Sequence, residues 1–551
     1  MSCAIDVGMI GVLLFFFRFN ATLEPPTMNS VRSRLSIMMF LQYAVWGAWA
    51  VSLGGYMGTT LQFTGLQIGS VYSTTAIAAM ISPLLMGILA DRLFSTEKLI
   101  GVLHLLGAGL LAAAAYTKEF TPLYVIMIAY SICYMPTLAL TNSISFANIG
   151  DPESEFPRIR VWGTWGWIIV GWLVGFVLDV PPGQSHYPVL LAAGLSAVLG
   201  LFSLLGLPHT PPQKNTDATQ KTGVGVIELL GDPSFLVFVV CSFLICIPLS
   251  FYYGYANLFI TEIDAPFPTA LQTVGQLSEV GFMAAMPFFI ARLGVKRMLI
   301  CGMLAWGLRY FAFGSLSFSL VLFGLFLHGI CYDFFFVASQ IYVDNRVDAS
   351  QRASAQSFIA LVTMGIGMFV GSYVGGWTLD HYPPGIQIKT TVETRDGATK
   401  EQNAILPAWD KDTKDQAKAK TGLAKQFELT DDSLLTATQI TADWVETNPG
   451  TGTKTTYTQA SLKQVIEEID ADKDGKVSRG EWRLAQRKDW FHIWLWPAIG
   501  AVATCLIFIV GFHDTGRSTD VEEPSEATGE ITPETSSNAY QDLDETGEDD
   551  S

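Results

Sequence analysis

Apolar residues in this chain fall into blocks about twenty long, and that spacing constrains the fold more than any other feature. A helix needs about 20 mainly apolar residues to cross a hydrocarbon core of about 30 Å. In lipid the backbone must satisfy its own hydrogen bonds, which leaves helices and closed barrels. Twelve blocks are legible, near 36–58, 66–89, 99–116, 122–146, 161–179, 189–207, 235–257, 269–291, 298–315, 319–343, 354–378 and 492–512. Only 15% of the 551 residues are charged, where a soluble domain carries roughly a quarter. The expectation is an all-α integral membrane protein with twelve transmembrane helices.

The blocks divide into two sets of six. Residues 35–208 form the first, a polar linker spans 209–234, and 235–379 holds helices 7–11 of the second. An insertion follows at 380–489, then helix 12 at 490–512 and an acidic tail at 513–551. MGILADRLFSTEKLI after the second block is echoed by FFIARLGVKRMLI after the eighth, as in a transporter built from parallel repeats. Placing both termini in the cytoplasm puts Arg32, Arg34, Arg92, Arg158, Arg297 and Arg346 inside, with Lys118 the main exception. The insertion is then extracytoplasmic, and is read as either a small domain or a partly disordered segment. Residues 1–34 are an N-terminal extension. Within it, 1–27 precede Met28 and read as either a start-site artefact or a tucked-in amphipathic segment. The net charge of −17 owes much to the acidic tail. No basic patch points to nucleic acid.

Two carboxylates lie inside apolar blocks: Glu279 in QLSEVGFMAAMPFFI and Asp333 in LFLHGICYDFFFVASQIYV. An ionised Asp at a helix centre costs roughly 3 kcal/mol or more, so such groups pair internally, carry a proton or touch a ligand. Arg309 is a candidate partner for either. Gln276 and Glu279 are spaced i, i+3 and share a helix face. At the end of the second block, Gly87 allows close helix approach, and Asp91 and Arg92 form a candidate gating latch.

The string Gly87-Ile88-Leu89-Ala90-Asp91-Arg92 resembles the signature of the major facilitator superfamily. FLQYAVWGAWAVSLGGYM, YMPTLALTNSISF, FPRIRVWGTWGW, QLSEVGFMAAMPFFIARLGVKRML, AWGLRYFAFG, GICYDFF and RASAQ resemble its nucleoside:proton symporter family. The resemblance covers nearly all of the membrane portion and omits 1–27, the insertion and the tail. It implies a major facilitator fold in the cell (inner) membrane and a central nucleoside site at Arg160, Thr164, Gln276, Glu279, Tyr332 and Asp333. Proton coupling would fall to Glu279 or Asp333. Trp167, one turn beyond Thr164, offers a face for a base. The seventh span departs from the family pattern. Its Ser250–Asn257 stretch has tyrosines where relatives carry amides, leaving Tyr253 and Asn257 as candidate contacts. Trp46 and Trp49 suit packing as well as ligand contact. Gln42 and Asn142 are weaker cavity candidates, and His104 reads as a satisfied core residue. A sugar symporter of the same fold and a non-transporting calcium-sensing receptor are the alternatives.

The insertion carries its own motif. Asp470, Asp472 and Asp474, Gly475, the Lys476 carbonyl, Ser478 and Glu481 fit an EF-hand calcium loop, with helix-forming segments on either side. The run from Asp410 lacks the glycine and spacing of a second loop. A lone loop of this type is weak or pairs between molecules. Transport itself calls for no cofactor, and a monomer is expected. No phosphate-binding glycine loop, nucleophile motif or zinc spacing is present, so an enzyme is not expected.

Overall fold

The computed structural model describes residues 28–89, 94–180, 182–211, 229–347, 351–384, 386–393, 397, 399–406, 435–447, 454–470, 473–478, 481–482 and 485–513. The extension 1–27, Asp91, Arg92, Asp472, most of the linker and the acidic tail lie outside them.

The membrane portion is all-helical. In the first half, α1 is Met28–Ala50, α2 Leu53–Thr59, α3 Gly65–Leu89 and α4 Thr96–Tyr116. It continues with α5 Phe120–Ala147, α6 Pro152–Leu173 and α7 Tyr187–Gly206. The second half begins with α8 Pro233–Glu262, capped by Asp232, whose carboxylate accepts from the Ser234 amide. Next, α9 runs from Pro268 to Gly314 and breaks at Gly294, where φ is 68°. Only glycine enters that region freely, so one long element becomes two arms joined at the basic turn expected between the eighth and ninth spans. Then come α10 Phe318–Phe326, α11 His328–Tyr332, a π-helical turn at Asp333–Val337 and α12 Ala338–Arg346. A second π-helical turn, Leu361–Gly367, joins α13 Arg352–Ala360 to α14 Met368–His381. Among the described residues nine helices are long and apolar enough to cross a membrane. Gly65–Leu89 and the two arms of α9 supply the remaining blocks in the expected order.

The insertion is a small folded unit and adds strands that the sequence reading did not anticipate. β1 Gln387–Glu393, β2 Thr399–Ile405, β3 Trp444–Thr447 and β4 Lys454–Tyr457 form an antiparallel sheet in the order β2-β1-β4-β3. α15 Gln459–Ile469 follows, and its Leu462, Val465, Ile466 and Ile469 face a separate core with Ile388, Trp444, Tyr457 and Trp482. The chain then enters α16, Trp490–Gly511, capped by Asp489.

The halves meet through backbone at the end that carries the insertion. A Cβ on Gly54 would sit 2.4 Å from the Gly254 carbonyl oxygen, and one on Gly65 2.4 Å from that of Gly376. Asp380 at the end of α14 accepts from the amides of Gly65 and Leu66. Thr269 of α9 donates to Asp179 at 3.2 Å. Small residues allow this approach as they do between membrane helices generally. Gly54→Ala is therefore expected to hold the halves apart at this end. Spin labels on the two halves should read a longer distance than in the wild type; an unchanged distribution would refute the closure.

Candidate functional site

A cleft lies where α1, α6, α8 and α9 meet. It is lined by Ala50, Val51, Trp167, Tyr252, Tyr253, Gln272 and Gln276. Three of the sequence candidates, Trp167, Tyr253 and Gln276, thus converge from three helices of both halves. Trp46 packs edge-on against Trp167 with ring centroids 5.6 Å apart, so it supports the indole. The side-chain oxygen of Gln276 is buried and makes no hydrogen bond. A buried acceptor without a partner costs roughly 1–3 kcal/mol, a cost that a ligand donor would remove.

Glu279 stands one turn beyond Gln276 on the same side of α9, as the i, i+3 spacing implied, with its side chain 24% exposed. The Arg160 guanidinium lies 4.1 Å from the centre of the Tyr43 ring and within electrostatic reach of Glu279. Thr164 is half-buried one turn further along α6. Tyr332 lines a second pocket with Ser242, Phe336, Ser339 and Gln356.

Asp333 opens the π-helical turn and is fully buried, with no hydrogen bond to either carboxylate oxygen. Arg309 does not neutralise it. That side chain is also fully buried; it stacks over Tyr252 at 3.6 Å and donates to His328 Nδ1 at 2.9 Å. His328 Nε2 in turn lies 3.9 Å from Glu279 Oε2. The sequence offers Arg309 as a candidate partner for either carboxylate; an aromatic face and an imidazole take that place. His328 was missed, although a histidine one helical turn before Tyr332 in an apolar block was a usable signal.

Other candidates sit elsewhere. Asn257 donates to Thr269 at 3.0 Å, away from the cleft and at the contact between the halves. His104 bonds Gln42 at 2.9 Å and Ser196 at 3.0 Å, and Gln42 also reaches Thr137 at 2.8 Å. Both belong to the core of the first half. Trp49 is buried and donates to the Tyr130 hydroxyl at 3.1 Å. Gly87 lies in the last turn of α3.

In the insertion, Asp470 accepts from the amides of Asp474 and Gly475, and Asp474 from that of Lys476. Glu481 accepts from the amide and hydroxyl of Ser478. Gly475 has φ 78°. Among the described residues no cluster of three or more His, Cys, Asp or Glu converges as a metal site. Val477 exchanges two backbone hydrogen bonds with Leu435, at 2.8 and 2.9 Å. The loop therefore pairs within its own chain. Each strand partner is followed by a similar cap, Ser478 with Glu481 and Thr436 with Gln439.

A two-halved helical bundle with a polar cleft between the halves defines a secondary transporter of the major facilitator type. The pattern of the family described as Nucleoside H+ symporter matches residues 28–390, and the chain belongs to that family. It is 42% identical over 358 residues to the putative nucleoside transporter YegT of Escherichia coli, covering 62% of this chain and 83% of the relative. It is 35% identical to the xanthosine permease of the same organism, covering 64% and 89%. The crystal structure of the nucleoside transporter NupG superposes with a TM-score of 0.63 at 26% identity, covering 88% of this chain and 99% of that one.

The geometry separates the residues that line the cleft from those at the contact between the halves. Trp167→Ala and Gln276→Ala should each weaken binding of the transported solute about fivefold or more, given roughly 1 kcal/mol per lost contact. Asn257→Ala should leave affinity in the purified carrier unchanged. Equal losses at all three positions would contradict this assignment.

Proposed function

We propose that this protein imports nucleosides by proton symport, with the two halves rocking about the cleft in alternating access. The observation that carries the reading is the convergence of Trp167, Tyr253 and Gln276 from both halves on one cleft, with Glu279 one turn away. In this reading Trp167 stacks on the base. Gln276 and Tyr253 bind sugar hydroxyls or base edges, and Arg160, Thr164 and Tyr332 complete the site. Asn257 serves closure. The tyrosines of α8 set which nucleoside fits.

Glu279 and Asp333 are the proton-coupling groups. A buried ionised carboxylate resists transfer through the closed state, and protonation removes that charge. Loaded and empty carriers then both reorient, while the deprotonated half-loaded carrier does not. Asp333, buried with no hydrogen bond, fits the protonated form of this cycle. Gly87, Asp91 and Arg92 would latch the cytoplasmic end. Both termini face the cytoplasm, the insertion lies outside, and closure at the insertion end corresponds to a carrier open inward.

Uridine uptake into proteoliposomes should rise when the outside is made acidic and should be competed by nucleosides but not by sugars. Glu279→Gln should abolish the response to the imposed pH gradient. Uptake indifferent to the gradient, or gradient-driven uptake by Glu279→Gln equal to the wild type, would refute the coupling. Deleting roughly residues 385–485 should leave uptake measurable, and its complete loss would favour a sensor.

The insertion reads as a calcium-binding module built on a paired EF-hand. Asp470, Asp472, Asp474, Lys476 through its carbonyl, Ser478 and Glu481 would supply hard oxygen ligands. Two features support it: the positive φ of Gly475 and the backbone bridge between Val477 and Leu435. Calcium at a hundredfold excess over its dissociation constant stabilises a site by about 2.7 kcal/mol. Millimolar calcium should therefore raise the melting temperature of the insertion in the full-length protein by roughly 10 °C. Glu481→Gln should cancel the shift. An equal shift in that variant would refute the site.

A further inference from the structure

The geometry points to Arg309 and His328 as a fixed neutral donor for Glu279: His328 positions the carboxylate and does not itself carry the transported proton. This deepens the proton-symport reading and rests on it.

The argument begins with hydrogen-bond inventory. A guanidinium only donates. Arg309 Nη1 lies 2.9 Å from His328 Nδ1, so that nitrogen must accept, and the ring proton sits on Nε2. Nε2 is the atom that faces Glu279 Oε2 at 3.9 Å. The ring is held in this orientation from several sides. Tyr252 lies against it with centroids 5.2 Å apart. A Cβ on Gly275 would be 3.0 Å from the His328 Cβ, so α9 and α11 touch there. The Gly329 amide donates to Ser278 Oγ at 3.0 Å, fixing the next residue to the same turn of α9. The donor is built into the scaffold, whereas the Glu279 side chain is partly exposed.

Protonating Nδ1 would set an N–H against the guanidinium N–H and bring two cations together in a buried site. The titratable and charged groups facing the imidazole are Arg309 and Glu279 from α9, Tyr252 from α8 and Tyr332 from its own turn. Asp333 follows Tyr332, and Arg160 acts on Glu279 from α6. None of them relieves the conflict at Nδ1. His328 therefore stays neutral while the proton moves on and off Glu279. The ionised carboxylate closes by roughly 1 Å to reach hydrogen-bonding distance of Nε2, and on protonation it is released toward the cleft.

Two readouts decide the matter. Nitrogen-15 NMR of histidine-labelled protein, with the His328 signal found by difference from His328→Gln, reads the tautomer without any substrate. The neutral Nε2–H form should persist from about pH 5 to about pH 8, the range in which a free histidine changes charge. An imidazolium or an Nδ1–H form would overturn the inference. In proteoliposomes, His328→Phe keeps the ring packing and removes both the hydrogen bond to Arg309 and the Nε2 donor that faces Glu279. It should lower kcat/KM for uridine by about tenfold or more, as loss of a bond to a charged group does, and displace the pH profile of uptake. His328→Gln retains an acceptor for Arg309 and a donor for Glu279 and cannot titrate, so it should keep the wild-type pH profile. Gradient-driven uptake lost in His328→Gln while nucleoside exchange survives would make His328 the proton carrier and sink the proposal. Wild-type KM and pH profile in His328→Phe would do the same. If the wild-type protein moves no nucleoside, the proposed function falls, and the tautomer measurement still decides this inference.

Discussion

Lipid offers a protein no hydrogen bonds, and the rest of this structure follows from that constraint. It forces the backbone into helices and turns each buried polar side chain into a demand for an internal partner. One network in the first half meets the demand: Gln42, His104, Ser196 and Thr137 form a closed set between α1, α4, α5 and α7. The polar groups around Asp333 and Arg309 in the second half do not. Neither Asp333 oxygen, nor the side-chain oxygen of Gln276, nor two of the three Arg309 guanidinium nitrogens has a hydrogen bond. Functional machinery in a membrane protein belongs where satisfaction is incomplete, since only there does a proton or a solute have something to gain by arriving.

The same constraint shapes how the halves meet. Their contacts at the insertion end run through glycine: Gly54 on Gly254, Gly65 on Gly376 and Gly175 on Ala270. Such contacts bury little side chain, and among the described residues no ion pair crosses the seam. They are made by shape and dispersion, which favours a closure that can be undone within each cycle. A seam of leucines or salt bridges would resist opening. At Asp380 on the α3 amides, the polar group that crosses satisfies a helix N-terminus and adds a cap as well as a contact.

How much of this was legible depended on range along the chain. The helices were readable because crossing length is a local property. The shared face of Gln276 and Glu279 was readable because three residues fix it. The turn within α9 was readable as a basic break, although Gly294 alone makes it. Asn257 was misjudged because one helical turn separates the cleft from the seam, and boundaries read from sequence are uncertain by about that much. Arg309 and His328 are 19 residues apart on different helices, and no period links them. The sheet of the insertion was missed for a related reason. Its strands are rich in Lys, Thr and Glu, and only Ile388 and Thr390 of β1 are fully buried, so the alternation that marks a strand is faint. The pairing of Val477 with Leu435 was equally hidden, because the two lie far apart in the chain and no period links them.

The attachment of the insertion carries the argument one step further. Lys488 bonds Glu262 at 2.7 Å, Trp490 Nε1 donates to the same carboxylate at 2.7 Å, and Arg487 lies 3.4 Å from Asp264. Pro384 and Lys488 form a backbone bridge between entry and exit strands. All of these anchors belong to the second half. Among the described residues the insertion is thus fastened to one rocking body, so it travels with that body and leaves the seam free. Its exit segment also ends on the terminal turn of α8, the helix that supplies Tyr252 and Tyr253 to the cleft. An ion-dependent change in the loop ending at Glu481 would reach that helix through six residues of chain, from Trp482 to Arg487, and the Lys488–Glu262 pair. The fold therefore fastens the insertion to the helix that supplies Tyr252 and Tyr253 to the cleft.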